Sequence, residues 1–249
     1  MELMKAEVGA SGKDQREEIV GGHEAQPHSH PYMALVVSLR DAIFRICGGF
    51  LVEEDIVLTA AHCWGRRMNV FLGIHDTKLQ EKTWQKIRLK KAIRHPKYNN
   101  TTDINDIMIL QLNTKAQLSA AVGLLPLPGE SDHVRPGQVC SVAGWGNISD
   151  SERTSKLHEV DLVIQEDFQC ESRVEYYDRT TELCVGDPQK KMCFSEGDSG
   201  GPLVCRNVVQ GICTTVVENA TSPCVFTKIS SFLPWIKKTI KGLQVEESP

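Results

Sequence analysis

Met33-Ala-Leu-Val-Val37 is a run of apolar residues that stops at the polar Ser38. It is the length of a strand, ends in paired β-branched residues and is too short for a buried helix. The same texture recurs along the chain from Ile19. It is seen in Ile56-Val-Leu-Thr59, Asn69-Val-Phe-Leu72, Ile107-Met-Ile-Leu110, Val139-Cys-Ser-Val142, Val160-Asp-Leu-Val-Ile164, Pro202-Leu-Val-Cys205 and Val225-Phe-Thr-Lys-Ile229. Gly, Pro, Asn and Asp fill the gaps. About a dozen such pieces, with no long helical pattern between them, predict an all-β barrel or sandwich. One helix is expected near the end. Ser230 or Ser231 would cap it, Phe232, Trp235, Ile236 and Ile240 would share one face, and Pro234 fits only its first turn. The last residues, 243–249, read as a flexible tail.

The chain has 249 residues, 41% of them hydrophobic and 24% charged, and a formal net charge of −4. That balance opposes a dedicated nucleic-acid binder, which is usually basic. No run of eighteen apolar residues exists, so no membrane-spanning helix is predicted. Residues 1–18 carry five acids against three bases and lack the apolar stretch of a secretory signal. By themselves they say cytosolic. The nine cysteines say otherwise, since no C-x-x-C pair suggests a zinc site. Sequons at Asn99, Asn100, Asn147 and Asn219 also fit a secretory route. Residues 1–18 are therefore read as an atypical leader, removed from a domain spanning 19–242. A cytosolic chain with reduced thiols is the alternative.

Three segments carry chemistry: Thr59-Ala-Ala-His62-Cys63, Asn105-Asp106-Ile-Met-Ile-Leu110 and Gly197-Asp198-Ser199-Gly200-Gly201-Pro202. Their order, His, Asp, Ser, is one chain order of a Ser-His-Asp triad. A serine hydroxyl is a poor nucleophile at neutral pH. It needs an imidazole to take its proton and a carboxylate to hold that imidazole in the right tautomer. Glycines around Ser199 permit a tight turn whose backbone N–H groups can converge on one point.

With Ile19-Val-Gly-Gly22 added, the sequence resembles the chymotrypsin-like serine peptidases from Ile19 to about Lys241, most of all their granzyme and mast-cell protease branch. His23-Glu-Ala-Gln-Pro-His28, Pro31-Tyr-Met-Ala34, Pro136-Gly-Gln-Val-Cys-Ser-Val-Ala-Gly-Trp-Gly146 and Phe232-Leu-Pro-Trp-Ile-Lys-Lys238 carry the likeness. The resemblance implies two packed six-stranded antiparallel β-barrels with a C-terminal helix and a cleft between the barrels. It implies His62 as general base and acid, Asp106 as its orienter and Ser199 as nucleophile. The N–H groups of Gly197 and Ser199 would form the oxyanion hole. A precursor would be cut before Ile19, whose new amine would pair with Asp198. Glu17-Glu18 looks like the acidic dipeptide that a dipeptidyl peptidase removes, and Arg16 offers an earlier trypsin-like cut. Implied bridges are Cys47–Cys63, Cys140–Cys205 and Cys170–Cys184. Implied partners are protein or peptide substrates, serpin inhibitors and granule proteoglycan, with secretion or granule storage, a monomeric state and no cofactor or metal.

The sequence departs from the family most at the primary specificity pocket. Cys193 stands where trypsin-like members carry Asp, so nothing anchors an Arg or Lys. Phe194 replaces a small residue, Ser195 replaces a cysteine, and Thr214-Thr215-Val216 replaces a Ser-aromatic-Gly wall. Cys224 falls where the Asp-cleaving granzyme carries Arg. Cys193 and Cys224 bond across the pocket floor, or they remain buried thiols with Cys213. Glu196 favours basic residues on the leaving-group side. If cleavage occurs, a small or medium apolar residue is expected before the scissile bond. Two functions stand: a serine endopeptidase acting through an acyl-enzyme, and an inactive binding protein whose pocket Phe194 and Val216 narrow. The segment order and the Ile19 start oppose an esterase of another fold. Lys86, Arg88, Lys90, Lys91, Arg94 and Lys97 read as a solvated strand face or a proteoglycan site, and His28 and His30 as surface histidines.

Overall fold

A computed structural model describes residues 22–129, 131–146, 154–186, 197–214 and 223–245. Its first strands are β1 (His23–Glu24), β2 (Met33–Arg40), β3 (Ile43–Glu53), β4 (Ile56–Thr59), β5 (Arg67–Leu72), β6 (Gln85–Arg94) and β7 (Met108–Leu112). Then come β8 (Val139–Gly144), β9 (His158–Val163), the short helix α1 (Asp167–Glu171) and β10 (Glu182–Val185). β11 (Pro202–Cys205), β12 (Val208–Cys213), β13 (Cys224–Lys228) and helix α2 (Ile229–Val245) complete the order.

Strands β2-β3-β4-β7-β6-β5 close into a barrel, every pair antiparallel, with β5 returning to β2. Its first hairpin pairs Met33 with Phe50 through to Arg40 with Ile43, leaving only Asp41 and Ala42 as the turn. Both have positive φ, 51° and 66°, the mirror-image turn whose twist suits a two-residue hairpin. Phe50, Leu51, Leu58, Val70 and Leu72 belong to the buried core cluster built on its two faces. β7 is buried along its whole length, because the barrel interior takes one face and further packing covers the other.

The second sheet runs β1-β9-β8-β11-β12-β13-β10. It curls shut. Gln165 N–H donates to the Cys184 carbonyl and Gly186 N–H to the Val163 carbonyl, each at 2.8 Å, bridging Ile164 to Val185. β8 to β13 thus form the second six-stranded barrel, and β1 is an added edge on β9. A third apolar cluster, with Met33, Leu35, Ala143, Trp145 and Leu157, joins the two barrels. The Trp145 indole N–H reaches the His75 carbonyl at 3.0 Å across that seam.

Helix α2 packs chiefly on β12 and buries Ile229, Phe232, Ile236, Ile240 and Leu243 in a core cluster that joins first-barrel residues to Val204, Val209 and Ile212 of the second. Three sequence expectations need correction here. Ser230 and Ser231 lie inside the helix rather than capping it, and the Ser231 hydroxyl donates to the Thr180 carbonyl at 2.6 Å. Pro234 lies beyond the first turn on the exposed side, where water can serve the Ser230 carbonyl that the missing N–H leaves without an intrahelical donor. The boundary placed at 242 falls within the helix, because Leu243 still has core to cover and is 4% exposed.

Candidate active site

The seam between the barrels gathers the three motifs. His62 lies in a single 3₁₀ turn (Ala61–Cys63) straight after β4, and Asp106 lies two residues before β7. β4 and β7 pair directly, Thr59 with Met108, so adjacent strand ends deliver the two side chains together. His62 Nδ1 is 2.6 Å from Asp106 Oδ2, and the His62 backbone N–H donates to Oδ1 at 2.9 Å. An ionised carboxylate only accepts, so the imidazole proton resides on Nδ1 and Nε2 is left as the base. Asp106 is fully buried, and its carbonyl accepts from the Thr227 hydroxyl of β13 at 3.0 Å. Burial pulls the His62 pKa down. The Asp106 charge and hydrogen bond outweigh that, and the imidazole ends above the ordinary 6.5.

Ser199 precedes β11 of the second barrel. Its carbonyl accepts from Gly48 N–H of the first barrel at 2.8 Å, and Gly200 N–H donates to the Cys213 carbonyl at 2.7 Å. The Cys63 sulfur lies 3.7 Å from His62 Nε2 and 3.8 Å from the Ser199 carbonyl oxygen. The Ser199 hydroxyl points to the Thr214 carbonyl at 3.4 Å and makes no hydrogen bond to His62. Catalytic hydrogen bonds are often long or poorly aligned until substrate binds.

The turn is built on glycine. Gly200 has φ +84°, and a Cβ there would fall 2.2 Å from the Thr59 hydroxyl. Neither Gly197 nor Ser199 donates its N–H to another described residue, which leaves two donors in one turn for an incoming oxygen. Asp198 between them is 2% exposed, and its Oδ1 accepts from Gly146 N–H at 2.8 Å. A Cβ on Gly144 would stand 1.9 Å from that same oxygen.

Bridges Cys47–Cys63, Cys140–Cys205 and Cys170–Cys184 are formed. Cys47, His62 and Cys63 lie close together, but both sulfurs are oxidised and offer no thiolate to a metal. Of the remaining cysteines, Cys213 is a buried free thiol whose pKa burial raises, and Cys224 is buried and disulfide-bonded. Thr214 is buried, its hydroxyl donating to the Val225 carbonyl at 2.8 Å. Ile19, Cys193, Phe194, Glu196, Thr215, Val216, Asn147 and Asn219 lie outside the described residues. Asn99 and Asn100 are exposed on the loop after β6.

His30 corrects the surface reading. Its side chain is 11% exposed, held by Glu159 at 2.5 Å and the Tyr32 hydroxyl at 2.8 Å. Sequence reasoning also missed Thr227, and it missed an acidic cavity beside the triad lined by Asp103, Glu175 and Glu182. The one available signal was Glu182, a lone charge opening the apolar strand Glu182–Val185.

The fold and this constellation define a chymotrypsin-type serine peptidase. A model of the trypsin family matches residues 19–236, and the chain belongs to that family. It is a serine protease, a hydrolase. Human granzyme H is 53% identical to it over 228 residues, covering 91% of this chain and 93% of that protein. Human granzyme B is 52% identical over 226 residues, with 90% and 92% covered. Mouse cathepsin G is 49% identical over 228 residues, with 92% and 87% covered. A solved structure described as "Structure of GrC" superposes with a TM-score of 0.86 at 48% identity, covering 89% of this chain and 99% of that one. Among the described residues, no helix is long and apolar enough to cross a membrane.

Proposed function

We propose that the protein is an active serine endopeptidase that works through an acyl-enzyme and is switched on by a free Ile19 amine. The carrying observation is the paired contact of His62 with buried Asp106, beside a serine turn that leaves two N–H groups open. Ser199 Oγ attacks the scissile carbonyl and its proton passes to His62 Nε2. The oxyanion settles on the N–H groups of Gly197 and Ser199. His62 then protonates the leaving amine, and water repeats the sequence in reverse to free the acid. Asp106 fixes the tautomer and offsets the charge of the imidazolium.

In this reading the amine freed at Ile19 pairs with the Asp198 carboxylate and holds the Gly197 turn. Cys193 is the partner of Cys224, because the other bridges and the free Cys213 account for every other cysteine. Such a bond across the pocket floor leaves no charge there and suits a small or medium apolar side chain, next to Phe194, Thr215 and Val216. A granule or secreted role follows the granzyme relatives and the oxidised cysteines. Serpins and sulfated granule proteoglycan are the proposed partners. For the latter, Lys86, Arg88, Lys90 and Lys91 line a groove together with Arg66 and Arg67. The inactive-binder alternative draws only on Phe194 and Val216, and nothing in the His62–Asp106 geometry favours it.

The test is labelling by a fluorophosphonate. Protein beginning at Ile19 should label, while the full chain and a Ser199→Ala control should not. A folded Ile19 form that stays unlabelled refutes the reading.

A further inference from the structure

We propose that the hairpin joining β2 to β3 is a membrane-docking element: Ile43 and Phe44 enter the interface of an anionic bilayer, and the arginines around them meet its headgroups. The proposal goes beyond the peptidase reading and does not depend on it.

Phe44 is 74% exposed, more than any other large apolar residue described, and Ile43 beside it is 64% exposed. Apolar residues scattered singly over a surface need no explanation. This pair differs because it sits at a hairpin tip. Neighbouring strand residues point to opposite faces, so no single packing surface of the fold can cover both. The tip is also fixed. Arg40 pairs with Ile43, and Asp41 and Ala42 close the turn with φ of 51° and 66°. An ordered ladder thus holds the two side chains out in solvent.

Cations flank each of them on its own face. Leu39 pairs with both Phe44 and Arg67, which places Phe44 and Arg67 on one face of the sheet. That face continues through Asn69 and Phe71, which pair with Arg88 and Lys86. On the opposite face Arg40 lies across from Ile43, and Arg45 follows two residues on. Across residues 33–52, β5 and β6, Asp41 is the only acid, and it stands 3.8 Å from Arg40. The whole chain carries −4, but with a Debye length of about 8 Å at physiological salt the local charge governs contact.

A lipid surface fits this better than the other occupants. A stable protein interface buries about 1,200–2,000 Å², which a convex two-residue tip does not offer. A sulfated polysaccharide would use the cations and leave Ile43 and Phe44 in water. A fluid bilayer closes around a convex apolar tip and supplies anions to the ring of arginines. β3 runs three residues from Phe44 to Cys47, about 10 Å, and Cys47 is bridged to Cys63, the neighbour of His62. Docking therefore carries the catalytic cleft close to the bilayer.

The experiment floats the full chain with vesicles of phosphatidylcholine, alone or with about 30% phosphatidylserine, in about 0.1 M salt. The protein should bind the anionic vesicles and not the neutral ones. Phe44→Ser and Ile43→Ser, both at solvent-facing positions, should each weaken that binding about tenfold or more. Arg67→Gln should weaken it about fivefold. Retention on heparin should be the same for both serine variants as for the parent. In a Phe44→Trp variant, brominated acyl chains should quench emission beyond the parent's. Failure to bind anionic vesicles overturns the proposal. So does parental binding by both serine variants, which would leave adsorption by charge alone, or bound Phe44→Trp protein without added quenching. A dimer in sedimentation that Phe44→Ser dissociates, with no vesicle binding, assigns the tip to a second copy of the chain and overturns it as well.

Discussion

Replacing Glu182 with glutamine stabilises the protein at pH 8.5 and changes it little at pH 5. The reason is an acid placed at the start of β10, 4% exposed, with carboxylates as its charged neighbours. In the fold its pKa is raised to about 7 from the ordinary 4.5. The native state therefore holds this proton more tightly than the unfolded chain. Below 4.5 both states are protonated and nothing is lost. As pH rises from there through about 7, the unfolded carboxyl ionises freely and the native one resists, so stability falls and then levels off. At 1.36 kcal/mol per pH unit the plateau corresponds to about 3 kcal/mol, the upper end for a group that lines a cavity water can enter. The substituted amide keeps an acceptor for Asp178 N–H and cannot ionise. Urea unfolding followed by tryptophan fluorescence, on a Ser199→Ala background to prevent autolysis, measures the difference. The variant-minus-parent stability should grow by about 1–3 kcal/mol between pH 5 and 8.5. A difference that stays flat across that range refutes the argument.

Because Asp106 outweighs burial at His62, kcat/KM should climb with pH through a midpoint above 6.5. Asp106→Asn should lower kcat about 10⁴-fold by releasing the tautomer, and a stopped assay with a thioester substrate reads both. Gly144→Ala pushes a methyl into Asp198, so kcat should fall by about 10²–10³ with far-UV circular dichroism unchanged, as when an oxyanion donor is removed. Thiol titration of the denatured, unreduced protein should return one thiol per chain, that of Cys213; three would refute the proposed Cys193–Cys224 bond.

The barrels were legible where strands are apolar. Ile56–Thr59 and Pro202–Cys205 bury every residue, and their composition announces it. β6 was legible from its charges instead, since Gln-Lys-Ile-Arg-Leu-Lys-Lys-Ala-Ile-Arg read as a solvated strand face and is one. β3 was broken up by Gly48, where a Cβ would meet Gly201 across the seam, and by Gly49, where it would meet Leu58 and Val57 of the neighbouring strand. The hairpin turn at Asp41-Ala42 carries no glycine to mark it. The triad could be read because each member stands in its own short motif. The acidic cavity could not, because Asp103 comes from a loop of the first barrel and Glu175, Glu182 and Thr214 from three segments of the second, and only the packing of the two barrels brings them to one wall.

The seam concentrates buried acids, and their needs order the site. Asp106, Asp198 and Glu182 are each at most 4% exposed, and a buried carboxylate is costly unless something positive or donating meets it. Asp106 is served permanently by His62, with a hydrogen bond at each carboxylate oxygen, and this is the pair that chemistry needs at all times. Asp198 receives Gly146 N–H and, in our reading, an amine that exists only after the bond before Ile19 is cut. Glu182 has one oxygen on a backbone N–H and no cation beside it among the described residues, and burial meets its cost by raising its pKa to about 7. The cost of burying each charge is then met in three ways: a permanent partner for the base's orienter, maturation for the oxyanion turn, and a bound proton for Glu182. Removing the charge at each position should separate these dependences. Asp106→Asn should lower kcat about 10⁴-fold at every pH where the parent is active, whereas Glu182→Gln should leave kcat unchanged and alter only stability at alkaline pH.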